Sequence, residues 1–205
     1  LAVVDYGAGN LPSVLHALRF LGVQPEALKI ARKDSDLTGA DKIILPGVGA
    51  FGAGMQQLTA QGLIEPIKAA VRDGVPYLGI CLGMQFLLDY SDEMGEHKGL
   101  GLIPGKVTRF PQDPTLKIPH MGWNNFTTQK PSPLLRHIQP ADQFYFVHSY
   151  YCVPANDDHS IATVNYGLPF TAAVQHKNIF GVQFHPEKSQ QTGLQVLSNF
   201  LEITA

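Results

Sequence analysis

A thiol set between two glycines is the feature of this sequence best suited to chemistry. It lies in Gly79-Ile80-Cys81-Leu82-Gly83-Met84-Gln85. The preceding Val75-Pro76-Tyr77-Leu78 follows Gly74 and reads as a short buried strand. Beyond the thiol, Met84, Phe86, Leu87 and Leu88 recur with helical spacing, which predicts a sharp strand-to-helix turn at Cys81. Glycines two residues to either side suit that corner, where side chains would collide with neighbouring backbone. Gly-x-Ser-x-Gly elbows expose a nucleophile by the same logic. A thiol at the first turn of a helix faces unpaired N–H groups and the positive end of the dipole. Both favour the thiolate, the form that attacks carbonyls. A cysteine packed at a strand end fits the same stretch, since cysteine is among the most buried residues.

A cysteine nucleophile needs a base, and the base needs an orienting group. Of eight histidines, His185 stands out, in Phe184-His185-Pro186-Glu187 between an apolar strand pattern and the last helical one. Proline after it biases His185 to an extended conformation. Residues i and i+2 of an extended segment point the same way, so Glu187 can lie beside the imidazole and hold its tautomer. Taken alone, these residues fit two solvated polar side chains at a strand end better.

Gly47-x-Gly49-x-x-Gly52 matches the dinucleotide fingerprint in form only. The fingerprint belongs to the first strand-to-helix turn with an acidic residue about 20 positions on. This loop follows the third strand pattern, and Glu65 and Asp73 are poorly placed for that role. Its backbone N–H groups could instead converge on an oxyanion with the N–H after the nucleophile; a plain tight turn is the alternative. Lys117-Ile118-Pro119-His120-Met121-Gly122-Trp123-Asn124 carries the only tryptophan, which suits either core filling or a protein interface. Tyr145-Phe146-Val147-His148-Ser149-Tyr150-Tyr151 offers polar groups from His148 and Ser149, or is an ordinary buried strand. No His-x-His or His-Glu-x-x-His spacing suggests a metal site.

These residues need a scaffold, and the first half of the chain alternates strand and helix. Strands are expected at Ala2–Asp5, Pro25–Ile30, Lys42–Leu45 and the stretch before Cys81. Tyr6–Asn10 reads as a loop, with Asn10 capping a helix that carries Pro12 in its first turn and ends at Gly22. A further helix is expected from Leu63 to Arg72. From Leu102 to Phe184 short strands with Pro and Gly turns dominate: Val107–Phe110, Trp123–Phe126, Gln143–Val147, Ile161–Asn165, Thr171–Gln175 and Ile179–Gln183. A helix over Gln190–Leu201 closes the chain. Strands separated by helices imply a parallel sheet covered on both faces. With no linker, repeat or low-complexity stretch, residues 1–205 read as a single α/β domain with a mixed sheet.

The totals narrow the partners. A net charge of −2 with no basic run gives no reason to expect nucleic acid or an anionic membrane surface. No apolar stretch approaches the about 20 residues a spanning helix needs. Leu1-Ala2-Val3-Val4-Asp5 has no basic region or cleavage-site pattern, and reads as a first strand without its initiator methionine rather than a signal peptide. Cys81 and Cys152, the only cysteines, then read as free thiols of a cytoplasmic protein.

Taken together and in this order along the chain, Pro46-Gly47-Val48-Gly49, Gly79–Gln85 and His185-Pro186-Glu187 resemble the triad (class I) glutamine amidotransferases. The resemblance spans essentially the whole chain. It implies a three-layer, flavodoxin-like α/β domain with a central mixed, mostly parallel sheet, and glutamine hydrolysis without metal or organic cofactor. Cys81 is then the nucleophile, His185 the acid and base, and Glu187 its orienting group. The N–H groups of Leu82 and Val48 would hold the oxyanion, and Gly49, Gln85, Glu93, Ser149 and Tyr150 would surround L-glutamine. Asp5–Leu11, Pro119–Asn124 and Tyr145–Tyr150 look like the branch of the family that hands ammonia to a (β/α)8-barrel cyclase subunit. That likeness directs Asn10, His120, Met121, Trp123, Asn124 and Lys188 toward the partner. Glycine at 47 and 49 would let the loop present either N–H or C=O to Cys81, which predicts low activity until the partner binds. Three rival readings are an amidotransferase for another acceptor, a stand-alone γ-glutamyl hydrolase, and a regulatory module with a vestigial triad.

Overall fold

The computed structural model describes residues 1–7 and 9–204; Ala8, within the expected Tyr6–Asn10 loop, and Ala205 lie outside the described residues. Four short strands with apolar residues at most positions come first: β1 (Ala2–Val4), β2 (Lys29–Ala31), β3 (Ile43–Gly47) and β4 (Tyr77–Cys81). They lie side by side in the order β2-β1-β3-β4, and strand Ile179–Val182 pairs with β4; all these pairs are parallel. Side chains alternate between two cores. Val3, Ile44, Leu78 and Ile80 face helices Leu11–Phe20 and Gln190–Glu202, whereas Ala2, Val4, Ile43, Leu45 and Tyr77 face helices Phe51–Ala60 and Ile64–Arg72. Burial on both faces explains why β1, β3 and β4 read as apolar runs, whereas edge strand β2 leaves Lys29 and Ile30 exposed. Three layers result, as the sequence implies.

Beyond Ile179–Val182 the sheet continues through Leu168–His176, Tyr150–Pro154 and Gly105–Arg109, whose pairings are antiparallel. Strands His120–Asn124 and Phe144–His148 form a separate antiparallel pair. The aromatic stretch Tyr145–Tyr151 is therefore not one strand. It breaks at Ser149, and its halves belong to different sheets, a division that only pairing partners can impose.

Other expectations shift for physical reasons. Pro25–Ala27 forms a 3-10 turn, and the strand begins at Lys29. The helix Phe51–Ala60 was not expected, because Gly52 and Gly54 weaken its pattern. Those glycines allow close packing: a Cβ would meet the His97 ring at Gly52 and the Phe86 ring at Gly54. The helix after Cys81 is only one turn, Leu82–Gln85. Its continuation is diverted because the carbonyls of Phe86, Leu87 and Leu88 accept from the backbone of Leu100–Ile103. Among the described residues no helix is long and apolar enough to cross a membrane.

Two glycines hold the corner together. A Cβ on Gly83 would overlap the Leu45 carbonyl of β3, and one on Gly79 would overlap the Gly83 carbonyl. Both collisions are with backbone, which has no rotamer to yield. Gly22, by contrast, has φ +88° and open space around its Cβ position, so only conformational strain opposes a side chain there. Gly83→Ala is expected to lower unfolding stability by about 3 kcal/mol or more, against about 1–2 kcal/mol for Gly22→Ala, in denaturant titration. Equal losses would show that the elbow is not packed this closely.

Candidate active site

The carboxyl ends of adjacent parallel strands deliver the chemistry-bearing residues to one edge, where ligands bind in open α/β sheets. Cys81 closes β4 with φ 55° and ψ −107°, a conformation L-residues rarely adopt. Such strain costs about 1–3 kcal/mol and persists only where the surroundings enforce it. Here the enforcement comes from Gly79 and Gly83 meeting backbone, so the expected elbow is present. Leu82, the next residue, opens the helical turn, and its N–H has no intrahelical acceptor by position. A one-turn helix has little dipole to act on the thiol.

The group facing the thiol is His185. The imidazole is buried, with Nδ1 2.8 Å from Glu187 Oε1. An ionised carboxylate can only accept, so Nδ1 carries the proton and Nε2 is left for Cys81. That Nε2 is buried and turned toward the thiol. Burial acts most strongly on His185 and would lower its pKa. The Cys81 charge and hydrogen bond, followed by those of Glu187, outweigh burial and raise it to about 10. Glu187 approaches by a 3-10 turn, Pro186–Lys188, with His185 itself extended as expected. Ser189 Oγ donates to the His185 carbonyl at 2.7 Å and accepts from Tyr145 N at 2.9 Å, which pins that turn.

Asn10 departs from expectation in an informative way. It precedes helix Leu11–Phe20, but its side chain makes no capping bond. Its Nδ2 donates to Glu187 Oε1 at 3.1 Å, while Ser13 Oγ donates to its Oδ1 at 2.8 Å. The half-buried Asn10 side chain thus supports the carboxylate. A second position unread in the sequence is Gln183, whose Nε2 lies 3.7 Å from Cys81 Sγ and whose Oε1 accepts from Gln85 Nε2 at 3.2 Å. Its place two residues before His185 on strand-like chain was the available signal.

A cavity of about 290 Å³ opens over the thiol, near the lower bound of about 300 Å³ for small-ligand sites. Cys81, Leu82, His185 and Val48 line it, and so do all the expected substrate contacts: Gly49, Gln85, Glu93, Ser149 and Tyr150. Gln85 Nε2 also donates to the Tyr150 carbonyl at 3.0 Å. Glu93 Oε2 accepts from Phe51 N at 2.6 Å, so that carboxylate also anchors the first turn of helix Phe51–Ala60. Among the described residues no three His, Cys, Asp or Glu side chains are placed to share a metal ion.

The residues expected toward a partner divide. Met121 and Trp123 are 61% and 45% exposed on one face of their strand, and Lys188 is exposed, with Asn124 half-buried. His120 is a correction, since strand alternation turns it inward to 3% exposure. Its Nδ1 lies 3.0 Å from His148 Nε2, and His148 Nδ1 lies 2.9 Å from the Tyr150 carbonyl. A carbonyl only accepts, so His148 donates through Nδ1 and His120 donates to His148. Burial lowers His120 to about 4 and His148 to about 3, which keeps both neutral.

An elbow thiol facing an imidazole, itself held by a buried carboxylate, on a sheet of this order is an arrangement able to carry out thiol-based hydrolysis. The family model described as glutamine amidotransferase class-I matches residues 2–203, and the chain belongs to that family. It is 47% identical over 205 residues to a protein of Syntrophotalea carbinolica, covering 98% of each chain. It is 49% identical over 201 residues to one of Chlorobaculum tepidum, again covering 98% of each. Both relatives are named imidazole glycerol phosphate synthase subunit HisH. In fold it is similar to the structure of PurLQS from Thermotoga maritima, with TM-score 0.75, 21% identity and 98% and 96% of the two chains covered.

Cys81→Ala is expected to lower glutamine hydrolysis by roughly 10⁴-fold or more, and His185→Asn nearly as much. Glu187→Gln should cost less, because an orienting group makes no bond to substrate; equal losses would misassign Glu187. Removing the Cys81 charge should also let burial prevail at His185. Its Cε1–H resonance is therefore expected to titrate at lower pH in Cys81→Ala than in the parent, and an unchanged midpoint would refute that coupling.

Proposed function

We propose that the chain is the glutaminase subunit of an imidazole glycerol phosphate synthase, acting through Cys81, His185 and Glu187. The observation that carries this reading is the Cys81–His185–Glu187 arrangement beneath a cavity sized for one amino acid. The subunit assignment rests on relatives 47–49% identical over nearly their full length.

The Cys81 thiolate attacks the side-chain amide carbon of glutamine, and its oxygen becomes the oxyanion. Leu82 N–H and, once turned to the cavity, Val48 N–H stabilise that charge. His185 passes its Nε2 proton to the departing nitrogen, releasing ammonia and leaving a thioester. The imidazole then takes a proton from water as the water attacks the thioester. Glutamate leaves and the thiolate returns. Glu187, held by Asn10, keeps the Nδ1 proton in place through both halves. Gly49, Gln85, Glu93, Ser149 and Tyr150 bind the amino-acid end, and the reaction calls on no metal or organic cofactor.

Ammonia passes to a (β/α)8-barrel cyclase, which forms imidazole glycerol phosphate and aminoimidazole carboxamide ribotide in histidine biosynthesis. Exposed Met121 and Trp123, with Asn124 and Lys188, supply a surface of the composition protein interfaces favour. His120 acts behind that surface rather than on it. The free, buried thiols of Cys81 and Cys152 suit the reducing cytoplasm, where we place the reaction. The complex with Cys81→Ala should lose glutamine-dependent synthesis yet keep synthesis from ammonium salt. Loss of both in an assembled complex would contradict the division of labour, and full glutaminase activity of the chain alone would favour a stand-alone hydrolase.

A further inference from the structure

Gln183 brings an amide, a group that does not titrate, to the nucleophile. It follows strand Ile179–Val182, in which Val182 is the register partner of Ile80 of β4, so one step further sets it beside Cys81. On its other side the Gln183 N–H donates to the Ala172 carbonyl at 2.8 Å, which fixes the residue between two strands. Its exposure is 0%. A primary amide buried so completely must spend its donors and its acceptor inside the protein.

A main-chain atom decides how that amide is turned. The Tyr150 carbonyl can only accept, so the Gln85 atom 3.0 Å from it is Nε2. That nitrogen has a second proton for the Gln183 atom 3.2 Å away, which is therefore Oε1. Gln183 Nε2 is then the end that lies 3.7 Å from Cys81 Sγ, as an N–H donor to sulfur. His148 Nδ1, 2.9 Å from the same carbonyl, takes its remaining lone pair, so neither glutamine is free to turn over. Each link runs from donor to acceptor and the last acceptor is the sulfur. An ionised acceptor makes the stronger bond, so the thiolate gains more from this donor than the thiol does.

We propose that Gln183 is a further catalytic residue, whose Nε2–H donates to the Cys81 sulfur and stabilises it as the thiolate. The inference rests on the glutaminase reading, and adds to it a donor that His185 cannot replace. The imidazole gives its Nε2 proton to the departing nitrogen and later takes one from water. The amide keeps its protons throughout. Sulfur therefore meets the same donor when it attacks glutamine and when it leaves the thioester.

Gln183→Met keeps a side chain of similar length and removes the donor. In the full chain without glutamine, iodoacetamide should alkylate Cys81 about tenfold more slowly in the variant at about pH 5, the lower end for a hydrogen bond to a charged group. The two rates should converge at about pH 9, where the thiolate no longer needs the donor. In glutamine hydrolysis kcat should fall by a larger factor than KM rises. A glutamine that merely braced Gln85 would raise KM and leave alkylation unchanged at both pH values, and that result would overturn the proposal. A second measurement keeps Gln183 in place. By NMR, its sulfur-bound amide proton should lie downfield in the parent and move upfield in Cys81→Ala, while the Gln85 amide stays put. An unmoved Gln183 resonance would equally overturn the assignment. A chain that shows both signatures yet hydrolyses no glutamine with its cyclase would fail the function reading instead.

Discussion

The site depends on how closely the corner after β4 approaches β3. Gly83 sits against the Leu45 carbonyl and Gly79 against the Gly83 carbonyl, with no room for a Cβ at either. That contact forces the chain to reverse within one residue, and Cys81 absorbs the reversal at φ 55°. The conformation is costly for an isolated residue, yet two packed strands distribute the cost over many contacts. Because β3 ends at Gly47, opposite Cys81, the same approach brings the Gly47-Val48-Gly49 loop over the thiol. The sharp corner at Cys81 and the placement of the Gly47-Val48-Gly49 loop over it therefore share one cause.

Charge and neutrality are divided just as sharply. The side chains of Glu187 and His185 are both 1% exposed, and each meets the other's charge at 2.8 Å. Asn10 completes the carboxylate's first oxygen, and Cys81 supplies the charge that helps hold His185 above its ordinary pKa. A few residues away, burial keeps His120 and His148 neutral and so fixes the direction of their hydrogen bonds. From the strand bearing Met121 and Trp123, a polar path runs through His120, His148, the Tyr150 carbonyl, Gln85 and Gln183 to Cys81. It aligns the cavity wall without introducing a second charge that would compete with the imidazolium.

Much of this was legible in the sequence, because apolar periodicity and glycine spacing are local. The parallel strands β1, β3 and β4 announced themselves as apolar runs, and Gly79-x-Cys81-x-Gly83 marked the corner. His185-Pro186-Glu187 placed base and carboxylate within two residues of each other. Those features fixed the fold class and the family resemblance. Less was legible where packing reverses a local preference. Gly52 and Gly54 hide a real helix, since their value lies in the side chains of His97 and Phe86 pressed against them. The helix after Cys81 looked longer than it is, since Leu100–Ile103 takes the carbonyls that would continue it.

The sequence by itself therefore determined the strand-and-helix alternation, the elbow, and which cysteine, histidine and glutamate belong together. Each of those follows from spacing within a few residues or from the order of motifs. Only the tertiary structure decided which way side chains turn once distant segments meet. It moved Asn10 from a helix cap to the carboxylate 177 positions away, turned His120 inward, and brought Gln183 beside the thiol. The physical reason is that polar groups buried in a core must find partners. Which partners are within reach is set by sheet order and register, and neither is written in any short stretch of chain.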